Sequence, residues 1–163
     1  MKYLFFIFYF FITNFTYSDD YIMNFQAIVK NLKEFNISKT EKFRSYEMEG
    51  TFTDNYGNYG KTNFIVISDT KNDKLLRLNA TVENIYSNNE KLFIRGIREK
   101  SDVDAGVAYG LVIGATTKLK PLIGTKCFTS VKYFDDAIFG IQKCKLSETQ
   151  TKVLKSLINQ PRN

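Results

Sequence analysis

The chain has 163 residues, a formal charge of +6, and neither histidine nor tryptophan. That length fits one domain with a core of its own. Without histidine, Ser-His-Asp and Cys-His nucleophile pairs are excluded, and the commonest general base and metal ligand are missing.

The basic residues are scattered through the sequence rather than blocked. Lys, Asn, Ile, Phe and Tyr are abundant together, the signature of an AT-rich coding sequence. No phosphate-binding stripe is formed, so no nucleic-acid partner is expected.

Residues 1–18 read as a secretory signal peptide. Lys2 supplies a minimal positive region, residues 3–12 are an apolar run rich in Phe, and Thr16 and Ser18 are small residues ahead of a cut before Asp19. The run is about half of what a membrane-spanning helix needs. The alternative is an uncleaved anchor, because Phe15 and Tyr17 prolong the apolar character. The expected mature chain is a single domain over residues 19–163, secreted or periplasmic, with no integral membrane span after cleavage. Loss of Lys2 lowers its charge from +6 to +5. A cysteine pair fits such an oxidising compartment.

Residues 20–35 carry Ile22, Phe25, Ile28 or Val29, Leu32 and Phe35 at three- and four-residue spacing, behind Asp19 and Asp20. This pattern predicts an N-terminal helix that lays its apolar stripe on a sheet or plugs a barrel end.

From Phe43 the pattern has period two. Strands are predicted over residues 43–53, 61–68, 75–86 and 91–99. Turn-forming stretches at residues 54–60, 69–73 and 87–90 separate them. In the third strand Leu76, Leu78, Ala80 and Val82 form the inward face, and Arg77, Asn79, Thr81 and Glu83 point outward. Residues 106–114 form a glycine-punctuated strand in which Tyr109 is assigned to the barrel interior. Pro121 cannot donate to a central ladder and places residues 115–124 in an edge or loop.

The two cysteines lie in the stretch TKCFTSVKYFDDAIFGIQKCKL, residues 125–146. A two-residue loop at Asp135-Asp136 pairs Phe134 with Ala137. Counting outward pairs Tyr133 with Ile138, Val131 with Gly140, Thr129 with Gln142 and Cys127 with Cys144. The cysteines then occupy a non-hydrogen-bonded site, with Cα atoms about 4.5 Å apart, at the short end of what a disulfide tolerates. They are not in a Cys-x-x-Cys arrangement, so a structural bridge is expected. Residues 147–158 read as a closing helix. Ser147 and Gln150 have capping-box spacing, and Val153, Leu154, Leu157 and Ile158 form its apolar stripe.

Residues 115–119 are Ala115, Thr116, Thr117, Lys118 and Leu119, with Gly124 after them. Set against a G-T-G-x-[FY]-x-G turn, the Thr and final Gly match. Ala115 and Thr117 replace glycines, and Leu119 replaces the aromatic. Together with the glycine-bearing strand before and the hairpin after, residues 104–145 resemble small exported β-barrel proteins of the allene-oxide-cyclase and dirigent type. The resemblance implies a calycin-like barrel and admits a homo-oligomer. It carries no catalytic residue across. The resulting expectation is a mainly β fold, an antiparallel calycin-like barrel of six to eight strands with an N-terminal and a C-terminal helix.

Candidate chemistry is sparse. Asp102-Val103-Asp104 lacks the further oxygen ligands of a calcium loop, and neither a metal nor a cofactor is expected. Glu47 and Glu49 share one strand face, where solvent exposure accounts for them better than acid–base work. Tyr46, Tyr56, Tyr59, Tyr86, Tyr109 and Tyr133 are pocket-lining candidates, although tyrosine is also a common strand residue. Asn36-Ile37-Ser38 and Asn79-Ala80-Thr81 match the N-glycosylation pattern. These features point to a non-catalytic extracytoplasmic barrel holding a small apolar or amphipathic ligand. The alternative is a structural or interaction component of the envelope or secretome with a packed core.

Overall fold

The computed structural model describes residues 19–158. Residues 1–18, where a signal peptide is predicted, and residues 159–163 lie outside the described residues. Eight antiparallel strands follow one another around a closed barrel: β1 (Asp19–Asn36), β2 (Glu41–Asp54), β3 (Tyr59–Lys71), β4 (Lys74–Tyr86), β5 (Lys91–Asp102), β6 (Ala105–Ala115), β7 (Lys126–Phe134) and β8 (Ala137–Leu146). Each strand pairs with its neighbour in sequence, and β1 pairs with β8 to close the ring. One helix follows, α1 (Glu148–Ser156).

The predicted N-terminal helix is not formed; its residues belong to β1. Tyr21, Met23, Phe25 and Ala27 alternate into the core, while Ile22 and Ile28 lie on the other face. Apolar residues therefore stand on both faces of this strand, and Ile22, Phe25 and Ile28 reproduce a helical spacing by drawing on both. Tyr, Phe, Ile and Val also favour a pleated surface. Two free strand edges, on β2 and β8, fix the outcome, because β1 satisfies the backbone of both. Its pairing with β8 ends at Ile28. Beyond a register shift between Lys30 and Lys33, where Asn31 has φ 52°, β1 continues with β2 alone.

Turn chemistry follows the residues. Asn72 and Asp73 both have positive φ (50° and 57°) between β3 and β4, as a primed hairpin turn requires. The β7–β8 hairpin has the predicted register at every pair, from Phe134 opposite Ala137 to Cys127 opposite Cys144. The two cysteines are joined by a disulfide, with Cα atoms 4.3 Å apart.

The core fills the barrel: Met23, Phe25, Met48, Phe52, Phe64, Val66, Val82, Ile94 and Ile138 meet inside it. The outer face carries ion pairs such as Lys30–Glu49, Lys71–Glu41 and Lys91–Glu83.

One end is closed. The segment around Pro121 is a short 3-10 helix over Thr117–Leu122, where a loop or edge was predicted, and it buries Leu119 and Leu122. Helix α1 adds Leu154 and Leu157, while Ile158 of its predicted stripe is exposed. The Ser147–Gln150 capping box is formed. Gln150 Nε2 also donates to the Pro121 carbonyl (2.9 Å) and to Thr125 Oγ1 (3.0 Å), which fastens the helix to the 3-10 segment. No helix among the described residues is long and apolar enough to cross a membrane.

Candidate functional site at the open end of the barrel

The other end, where β1 leads to β2, β3 to β4, β5 to β6 and β7 to β8, has no such plug among the described residues. A cleft of about 580 Å³ opens there. Its apolar walls are Val29, Leu32, Leu75, Leu78 and Val103, and its polar groups are Arg44, Tyr46, Ser68, Arg98 and Tyr133. Asp104, Asp135 and Asp136 also line it, from the two adjacent turns. Beneath it, inside the barrel, is a second space of only about 60 Å³. That chamber lies among the small residues Ala80, Gly96, Ala108 and Gly110, with Phe25, Phe64 and Met48 filling the rest. Leu78, Arg98 and Tyr133 border both spaces and so form the floor of one and the roof of the other.

Arg98 is the unusual member of this set. It lies on the face of β5 that Leu92 and Ile94 establish as inward, and it is 2% exposed. Its Nη2 donates to the Val103 carbonyl (2.8 Å) and, more weakly, to that of Asp102 (3.4 Å). Its Nε and Nη1 have no hydrogen-bond partner among the described residues. Its guanidinium carbon is 5.9 Å from the centroid of the Tyr133 ring, a cation–π distance. The other arginine of the cleft is committed, since Arg44 Nε is 2.6 Å from Glu34 Oε2.

Tyr133 and Tyr46 face each other with their hydroxyls 3.1 Å apart. Burial raises the pKa of both, that of Tyr46 well above the ordinary tyrosine value; in Tyr133 the hydrogen bond with Tyr46 and the nearby Arg98 charge offset part of the rise. Both are therefore neutral hydroxyls. One donates to the other, and the acceptor keeps a proton of its own to give. The Met48 thioether, 4.0 Å from the Tyr133 hydroxyl, is a weak outlet for it.

The structure separates the residues singled out by sequence. Leu78 and Val82 are buried, and with Ala80 they border the inner chamber. Leu76 is corrected: it is 46% exposed, because Asp69 faces Arg77 while Thr70 faces Leu75, and Leu76 is the extra residue of a bulge. The bulge shifts the inward parity, and Leu75 takes the buried place. Tyr109 is also corrected. It pairs with Phe128 on the outer face and is 40% exposed, because Gly110 is the inward residue opposite Cys127.

Among the other tyrosines, Tyr46 and Tyr133 meet at the open end. Tyr21 and Tyr86 pair their hydroxyls (3.3 Å) near the closed end, and Tyr56 packs on Tyr21. Glu47 and Glu49 point outward, bonded to Asn31 and Lys30. Asp102 pairs with Lys74 on the surface. No group of acidic residues and cysteines among the described residues forms a metal cluster.

Arg98 escaped the sequence reading, although Leu92, Ile94 and Gly96 carry the parity that leads to it. Neither a protein-family model nor a curated protein nor a solved structure matches the chain.

Proposed function

We propose that the protein is a non-catalytic extracytoplasmic barrel that holds a small amphipathic molecule at its open end. The observation that carries this reading is the cleft of about 580 Å³, with apolar walls and a few convergent polar groups. That volume lies within the usual range for small-molecule sites, about 300–1,000 Å³. The ligand sits in the mouth and not in the barrel centre, since the inner chamber of about 60 Å³ is too small for it. The disulfide supports an oxidising compartment. Native mass spectrometry of the protein isolated from its source tests the reading. A noncovalent adduct of roughly a few hundred daltons is expected; the bare chain alone, however gently it is transferred, counts against it.

A second reading, a packed structural or interaction barrel, draws on the outer surface. Val107, Tyr109, Phe128, Phe139 and Ile141 are exposed across β6, β7 and β8. Such a patch suits a self-complementary interface. Under this reading Phe128→Lys lowers the mass measured by light scattering from that of an oligomer to that of a monomer. A wild-type protein that is monomeric at all concentrations argues against it.

A further inference from the structure

We propose that Arg98 is the receptor for the head group of a monocarboxylate, and that the cleft above it takes the apolar body of that molecule. The inference rests on the ligand-binding reading of the open end and names the ligand class.

The argument begins with cost. A guanidinium removed from water must regain its lost solvation from charge pairing and hydrogen bonds. Arg98 is 2% exposed, and carbonyl oxygens meet only its Nη2. Nε and Nη1 remain without acceptors. The chain thus holds a buried, half-partnered cation on a side chain that lines a ligand-sized cleft, and a carboxylate reaches its Nε and Nη1 when that side chain turns toward the cleft. A planar anion is the group that uses a guanidinium fully.

Charge and geometry narrow the class. Arg98 offers one positive charge, and Arg44 shares the Glu34 carboxylate with Lys42. Asp104, Asp135 and Asp136 on the rim repel any anion, and a dianion more strongly than a monoanion. A dianionic phosphate is therefore disfavoured, and a carboxylate fits. The Tyr46–Tyr133 pair supplies one spare hydroxyl proton in the same cleft, where the Tyr133 ring faces the guanidinium, and that proton suits a carboxylate oxygen. The walls of Val29, Leu32, Leu75 and Val103 contain no donor or acceptor side chain and suit a hydrocarbon body.

Decanoate and decanol, which share a chain and differ in head group, are the probes. Each is titrated into the full chain and into Arg98→Met by calorimetry. In parallel, the Arg98 Nε–H resonance of the wild-type protein is followed by NMR. Decanoate is expected to bind wild type at least about tenfold more tightly than decanol, the effect of one charge-assisted hydrogen-bonding site. Arg98→Met is expected to abolish that preference. The Nε–H resonance should move downfield with decanoate and stay in place with decanol, a readout that holds even if the variant does not fold. Equal binding of both probes with a stationary Nε–H resonance overturns the carboxylate assignment and leaves the cleft as a binding site. Failure of both probes to bind overturns the carboxylate assignment and the ligand-binding reading together.

Discussion

The ring of Phe25 occupies the place where a side chain at position 140 would stand. A Cβ built on Gly140 would lie 2.1 Å from Phe25 Cζ. The two residues are register partners across β1 and β8, and the ring packs onward against Phe64, with centroids 5.4 Å apart. The aromatic residue covers the glycine and seals the seam where the first and last strands meet. Gly140→Ala must displace a buried ring in a filled core, and we expect a loss of about 2 kcal/mol. Urea unfolding followed by circular dichroism measures it. An unchanged midpoint would show that the ring moves aside freely.

Opening the Cys127–Cys144 bridge should destabilise through the unfolded chain. The bridge closes a loop with a sequence separation of 17. Loop-closure entropy for that length corresponds to about 3 kcal/mol. The double substitution Cys127→Ser with Cys144→Ser should also raise the dependence on denaturant, because the unfolded chain becomes more expanded. An equal slope with a lower midpoint would place the effect in the native state instead.

Leu75 and Leu76 are adjacent and chemically identical, and the bulge in β4 sends them opposite ways. Leu75 is 2% exposed. Leu75→Ala should cost about 2–4 kcal/mol, whereas Leu76→Ala should change stability by less than about 0.5 kcal/mol. Thermal unfolding of the two variants side by side decides the matter. Reversal of their order would mean that the bulge lies elsewhere.

Asp54 gives the barrel a pH dependence of defined sign. Burial raises its pKa above the ordinary 3.8, against the hydrogen bonds it accepts from Tyr56 and Asn58. The folded state then binds more protons than the unfolded state between the two pKa values. The contribution of Asp54 is fully present below 3.8 and is lost as pH rises through the raised value. Asp54→Asn removes this titration. The stability of the variant relative to wild type should therefore improve as pH is raised from about 3.5 to about 7. A relative stability of the variant that stays flat across that range, or falls, contradicts the assignment.

The legibility of this chain varied with the local geometry. The β7–β8 hairpin could be read pair by pair, because a two-residue turn fixes register and Asp135 tolerates the positive φ it adopts. The capping box at Ser147 was equally plain. β1 was not, since apolar residues on both faces make two periods fit one segment. The bulges at Leu76 and near Asn31 left no mark in the sequence, because nothing in a run of alternating residues records an inserted one. The open-end site was half legible: Tyr46 and Tyr133 were among the candidate pocket residues. Arg98 was passed over because arginine is so commonly solvated.

Ring closure through β1 has a consequence for biogenesis. Asp19 is paired with Leu146, so the earliest strand made waits for the latest before its outer backbone is matched. Until the ribosome has released β8, a nascent chain presents Asp19–Ile28 with one flank bare. Such a flank invites pairing with other chains, and long-separation contacts of this kind slow folding.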